Sequence, residues 1–374
     1  MTVELDTRSV ESSVATEIYI SATPKDNAPP QDQAQGIFSR IRDVLNSKNA
    51  YILQERVFAT MDVMEAVSRV RLKVYGDVDD GVAPSFLVDK EGMSGPIAGV
   101  QVHAISSDSR PEVINLQGTP CGRILRVPGG AYLTLSSISA AQSSQATEQA
   151  RATLEKAESA LGQFDVDFLS VPRTWMWLGD ILSWYDDFNR VRTDFFTERG
   201  LIGEGTRQSM PASTGIGLCC ADGSKCAMDL IAVLQPPDAT QYLQAVGKQQ
   251  CALEYGSAFS RASRAVTPAG ETVFVSGTAS IDASGATTNI GDARGQINTT
   301  IENVRAVLRD THVTDKDVVH VVAYCKTQEV EKIFTDLKDA LAWPCVTVIC
   351  DICRPELLFE MEATAITPAK SLPG

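Results

Sequence analysis

Glu360 stands near the end of an internal repeat whose other copy carries alanine at the same place. Residues Ala227-Met-Asp-Leu-Ile-Ala-Val233 align with Glu360-Met-Glu-Ala-Thr-Ala-Ile366, pairing Met228 with Met361 and Ala232 with Ala365. A glutamate needed only for folding has little reason to appear in one copy and not the other. A carboxyl removed from water keeps its proton to higher pH, so such a residue can serve as a proton donor near neutrality. Cys353 lies seven residues earlier. An odd separation along a strand puts two side chains on opposite faces, so both reach one pocket only where Arg354-Pro355 bends the chain.

Other residues with chemical potential do not assemble into known patterns. Cys350 and Cys353 form a C-x-x-C, and Cys219, Cys220 and Cys226 cluster, yet a zinc site needs a second such pair or suitably spaced histidines. His103, His312 and His320 supply none. No nucleophile elbow, phosphate-cradling loop or dinucleotide fingerprint occurs. His320, within Val318-Val-His-Val-Val322, reads as a strand residue. Trp175, Trp177, Trp184, Tyr185 and Phe188 read as a helix-spaced core patch that could also line a ring pocket.

The elements that must position these residues follow from the repeat. Leu133-Thr-Leu-Ser-Ser-Ile-Ser-Ala140 matches Ser276-Gly-Thr-Ala-Ser-Ile-Asp-Ala283, and Gln149–Leu161 matches Gln296–Leu308. With the carboxyl-terminal match, three anchors occur in the same order. Each copy reads strand, helix, strand, helix, strand. In the second copy these are Thr272–Val275, a helix with Ile297, Ile301, Val304 and Leu308 on one face, Val318–Tyr324, Val330–Leu341, and closing strands Cys345–Cys350 and Leu357–Ile366. In the first copy Ile181, Trp184, Phe188, Val191 and Phe195 share a helical face. The expected class is α+β, with mixed sheets covered by helices on one face.

The division predicted is a flexible tail at 1–35, an N-terminal α+β segment at 36–130, a first repeat unit at 131–240, and a second at 241–374 carrying the acid. Polar residues and the stretch Ala22-Thr-Pro-Lys-Asp-Asn-Ala-Pro-Pro30 suggest the tail. Within 36–130, helices are predicted around Phe38–Leu45 and Val63–Tyr75, and strands at Tyr51–Ala59 and Ile97–Ile105. Three units in one chain would fit the length as a pseudo-trimer, but residues 37–130 match the repeat weakly.

The 374 residues carry 47 acidic and 33 basic side chains, a net charge of −14, nine Cys and three His. Without a basic block the chain has no electrostatic footprint for nucleic acid or an anionic membrane. No apolar run approaches the ~18 residues of a membrane span, and Met1–Val14 lacks signal-peptide features. An odd number of cysteines without repeating spacing reads as reduced thiols, and the expected location is the cytoplasm.

The run Ser263-Arg-Ala-Val-Thr-Pro-Ala-Gly-Glu-Thr-Val-Phe-Val-Ser-Gly277, with Gly291-Asp292 and Gln296–Val304, resembles the RidA/YjgF family. The stretch Trp343-Pro-Cys-Val-Thr-Val-Ile-Cys350 lacks the arginine that imine-hydrolysing members place there. A duplicated RidA-like chain with Cys353-Arg-Pro-Glu-Leu-Leu-Phe-Glu360, Tyr185-Asp-Asp-Phe-Asn-Arg-Val-Arg192, Pro211-Ala-Ser-Thr-Gly-Ile-Gly217 and Ser276-Gly-Thr-Ala-Ser280 resembles the chorismatases over residues 50–368.

That resemblance implies a cofactor-free lyase or hydrolase of secondary metabolism that takes chorismate to pyruvate and either 3-hydroxybenzoate or a dihydroxycyclohexadiene carboxylate. Glu360 would protonate the enolpyruvyl methylene. A cysteine at position 353 is associated with the aromatising branch. The two substrate carboxylates need fork-shaped donors. The candidates are Arg192 with Tyr185, and Arg261, with Arg173, Arg190 and Arg354 as further possibilities. Ser213 in the Pro211–Gly217 stretch, read as a loop, would offer backbone N–H groups. Gly277 and Ala279 would let a ring approach the backbone. The rival readings are an imine or enamine deaminase of the RidA superfamily and a catalytically silent ligand-binding relative; under any of the readings the protein could be a homo-oligomer or an intrachain pseudo-trimer.

Overall fold

The computed structural model describes residues 2–88, 90, 95–203, 208–236 and 239–368. The first 107 residues contain β1 (Val3–Glu11), β2 (Ala15–Pro24), α1 (Pro30–Ser47), β3 (Tyr51–Ala59), α2 (Met61–Tyr75), β4 (Ser85–Val88) and β5 (Ile97–Ser107). Next come β6 (Glu112–Leu116), β7 (Thr119–Val127), β8 (Gly130–Ser139), α3 (Ala146–Gly162), β9 (Arg173–Leu178), α4 (Tyr185–Glu198), β10 (Ala212–Ile216), β11 (Cys219–Cys220) and β12 (Cys226–Gln235). The last stretch holds β13 (Thr240–Leu243), β14 (Ala262–Thr267), β15 (Gly270–Ala279), α5 (Ala293–Asp310), β16 (Val318–Cys325), α6 (Gln328–Lys338), β17 (Cys345–Ile349) and β18 (Phe359–Pro368).

These strands form three six-stranded sheets with one recurring order: β1-β2-β5-β3-β4, β7-β8-β12-β9-β10 and β14-β15-β18-β16-β17. In each, one parallel pair is bridged by a helix, since parallel neighbours require a crossover. The chain therefore holds three units of one topology. The N-terminal segment is a third copy that its sequence match was too weak to reveal, because topology is kept by burial pattern rather than by residue identity.

Two boundaries differ from the sequence reading. Residues 3–24 are not a tail: β1 pairs with β2 from Val3↔Pro24 to Glu11↔Thr16, and β2 lies inside the sheet against β5. As an edge strand β1 carries polar side chains on its open face, which hides its alternation. Likewise β6 and β7, at residues 112–127, belong to the second sheet rather than to the N-terminal unit.

Each unit lays two helices on one sheet face. Ile37, Phe38, Ile41 and Val67 do this in the first unit, Leu154, Leu161, Phe188 and Phe195 in the second, and Ile297, Val304, Leu308 and Phe334 in the third. The helix-free faces turn toward one another and share a central core. Leu53 and Phe58, Trp175 and Trp177, and Phe274 and Tyr324 are contributed by the three sheets in turn. A strand buried on both faces reads as a continuous apolar run, which is what β16 shows. Among the described residues no helix is long and apolar enough to cross a membrane.

Candidate active site

The second and third units meet where β10 approaches β15. Ser213 donates its N–H to Ser276 Oγ at 2.8 Å, and Ser260 N–H donates to Pro211 O at 3.0 Å. Residues 212–216 are therefore a strand parallel to β9 rather than a loop, and the Ser213 N–H is already engaged. Its hydroxyl faces a cavity at this junction. All eight residues singled out from sequence line it: Glu360, Cys353, Arg192, Tyr185, Ser213, Arg261, Gly277 and Ala279.

Glu360 is the second residue of β18, opposite Ala279 on one side and Tyr324 on the other. It is 4% exposed. A Cβ at Gly277 would overlap its carboxyl, so any larger residue there would displace the acid from this position. Burial pushes this carboxyl up to about 8, with the neighbouring Glu362 charge adding to the rise and Arg173, Arg354 and Arg261 opposing it. Desolvation dominates, and the group is a carboxylic acid at neutral pH. Cys353 reaches the same cavity because residues 353–358 leave the strand in a turn closed by Leu357 N–H to Arg354 O at 3.2 Å. Burial pushes its thiol up to about 12, so at neutral pH it is a neutral S–H beside a neutral acid.

The cations are arranged differently. On α4, the apolar side chains Phe188 and Phe195 are fully buried, each contributing on the order of 2–3 kcal/mol. They fix the helix whose inward polar residue is Arg192. Its Nη2 donates to Asn189 Oδ1 at 2.8 Å, its Nη1 lies 3.5 Å from Ser213 Oγ, and its Nε has no hydrogen-bond partner among the described residues. Burial pulls the Arg192 pKa below the usual guanidinium value. Tyr185, the first residue of this helix, has its hydroxyl pKa raised by burial. Arg261 donates Nε to Gln250 O at 2.8 Å and Nη2 to Tyr255 OH, and Arg354 donates to Gly285 O at 2.7 Å. Among the described residues none of these three arginines has a carboxylate partner, although the chain is strongly acidic. By contrast Arg123, at the junction of the first two units, holds Asp80 bidentately at 2.6 Å.

The other arginine candidates lie elsewhere. Arg190 is exposed and pairs with Asp187, while Arg173 is buried and pairs with Glu362 at 2.8 Å, outside the cavity. The aromatic patch also divides: Trp175 and Trp177 are on β9 in the central core, Trp184 and Phe188 pack under α4, and only Tyr185 reaches the cavity. Tyr255, Ser257, Phe259 and Leu357 line it too and were not anticipated, since irregular segments carry no periodicity to mark them.

The three copies explain the asymmetry of the acid. Glu360 pairs with Tyr324 as Ala227 pairs with Trp177 and Gly99 with Phe58. Only the junction built on β18 carries a carboxyl at this place. A second cavity, of about 460 Å³, lies among the three sheets, where Arg56, His103 and Glu362 face it. Its polar groups are internally paired: Arg56 with Asp229 at 3.0 Å, the His103 ring with Glu17 at 2.9 Å, and Arg173 with Glu362. His320, bonded to Ile20 O, is pushed down to about 3 by burial and is neutral. Among the described residues no group of three His, Cys, Asp or Glu could hold a metal ion.

Residues 254–367 match the sequence family described as Endoribonuclease L-PSP. A chorismatase crystal structure at 1.08 Å resolution superposes on 98% of this chain and 99% of its own, with a TM-score of 0.63 at 17% identity. RidA from the Antarctic bacterium Psychrobacter sp. covers 34% of this chain and 99% of its own, at 16% identity and a TM-score of 0.28. A putative endoribonuclease from Thermotoga maritima covers 34% and 98%, at 21% identity and 0.28. No curated protein matches the sequence. The chain thus has the chorismatase fold, built from RidA/YjgF-like units.

Proposed function

We propose that this cavity binds chorismate and that Glu360 protonates the terminal methylene of its enolpyruvyl group, releasing pyruvate. The observation that carries the reading is one buried carboxyl, pushed up by desolvation, in a cavity lined by three arginines that have no carboxylate partner among the described residues. A neutral acid supplies the proton, and guanidinium groups held by neutral acceptors supply partners for two substrate carboxylates.

Protonation at carbon converts the enol ether into an oxocarbenium ion and leaves Glu360 as a carboxylate. Water adds to that ion, Glu360 takes back a proton, and the hemiketal collapses to pyruvate and a dihydroxycyclohexadiene carboxylate. Loss of water from the ring then gives 3-hydroxybenzoate, so the aromatising route consumes no water overall. Cys353, a neutral thiol beside the acid, is positioned to steer this second stage. Cys353→Ala is expected to change the ratio of aromatic to diene acid in a product chromatogram, and an unchanged ratio removes the residue from the mechanism.

The reactive form is the protonated one. Consequently kcat/KM is expected to be level below about pH 8 and to fall tenfold per unit above it, provided Glu360 titrates where its burial places it. Incubating the pure protein with chorismate and following pyruvate tests the reading itself. No pyruvate at micromolar enzyme defeats it, and ammonia release from imine substrates would instead favour the deaminase alternative.

A further inference from the structure

Glu362 follows Glu360 by two residues on β18, so both side chains leave the same sheet face, about 7 Å apart along the strand. Their situations are opposite. Both Glu362 oxygens are occupied by donors from the second unit: Arg173 Nη2 at 2.8 Å on Oε2 and Trp175 Nε1 at 2.7 Å on Oε1. Arg173 Nη2 also donates to Thr214 Oγ1 at 2.6 Å, next to Ser213, and its Nη1 has no hydrogen-bond partner among the described residues. The pair is almost fully enclosed, with side chains 2% and 6% exposed. An enclosed guanidinium with donors to spare would bond the nearest carboxylate, and Glu360 is the next one along the strand.

We infer that Glu362 is a positioning residue for Glu360: by binding Arg173 it keeps that charge from drawing the proton off the neighbouring acid. The inference rests on Glu360 being the proton donor. Several other groups face Glu360: Arg192 and Tyr185 from α4, Arg261 and Tyr255 from the segment before β14, Arg354 and Cys353 from the turn before β18, and Tyr324 from β16. The arginines among them favour ionisation, which makes neutralisation of the buried Arg173 the more consequential. The opposing influences of Glu362 and Arg173 on Glu360 agree with this arrangement.

The test is the titration midpoint of Glu360, read without substrate as the infrared carbonyl band of its protonated carboxyl and, with substrate, as the upper limb of the kcat/KM profile. Glu362→Gln is expected to lower the midpoint by about 1–2 pH units, Arg173→Gln to raise it, and the double variant to return close to the parent. The opposite signs keep the inference testable if one single variant fails to fold. Activity lost evenly at all pH values, with the midpoint unmoved in every folded variant, would overturn it and leave a structural role only. Because the infrared reading needs no turnover, absence of pyruvate from the parent chain would defeat the functional reading separately.

Discussion

Glu360→Gln is expected to release pyruvate from chorismate at least about 10³-fold more slowly than the parent chain while melting no lower. The two halves of this expectation have one cause. At neutral pH Glu360 is protonated, so glutamine replaces a neutral group by a neutral group of the same shape, and no ion pair is broken. The amide has no proton to give to carbon. A raised folded-state pKa also has a stability cost with a definite sign. The folded chain binds this proton more tightly than the unfolded one, so stability falls as pH rises from about 4.5 to about 8. At about 1.4 kcal/mol per unit that cost reaches ~5 kcal/mol at most, and glutamine removes it. The variant should therefore melt above the parent at pH 8 and close to it at pH 5. A variant that melts far lower at both pH values would mark Glu360 as structural.

Arg192→Met carries the second large effect. A buried guanidinium without a carboxylate partner is a cost to the empty protein and an asset once an anion arrives. Losing its bond to Asn189 costs about 1 kcal/mol, whereas relieving an unpaired buried charge returns about 1–4 kcal/mol. The relief wins, and the ligand-free variant should melt higher than the parent. In the complex the sign reverses: a charge-assisted fork to a carboxylate is worth about 2–5 kcal/mol, so kcat/KM should fall by roughly 30- to 5000-fold. Thermal shifts with and without 3-hydroxybenzoate separate the two, since the aromatic acid should stabilise the parent far more than the variant. A destabilised variant with unchanged kcat/KM would mean that Arg192 serves packing alone.

The site was legible to the extent that chemistry shows in residue type. Glu360 stood out because its repeat partner is Ala227, and the fold makes that asymmetry three-fold by placing Gly99 at the remaining junction. Arg192 and Tyr185 were legible as a cation and a hydroxyl on one helix, and the Pro355 bend that brings Cys353 to Glu360 was visible in the residue order. Partnerships across the chain were not. Arg173 looked like a substrate arginine until its carboxylate, 189 residues away, was found on β18. Ser213 sits in a five-residue strand of small polar residues that reads as a loop, because its pairing with β9 depends on the crossover by α4. The first unit was hidden for a related reason: β1 is a polar edge, and Ile18, Tyr19 and Ile20 gain meaning only when β5 lies beside them.

The proposed chemistry needs one enclosed carboxyl, Glu360, to carry a proton near neutral pH. An infrared difference titration of the parent against Glu360→Gln tests it most directly. The account predicts a protonated-carboxyl band at pH 7, present only in the parent and lost as pH rises through about 8. A carboxyl already ionised at pH 7, titrating with ordinary glutamates near ~4.3, would contradict it.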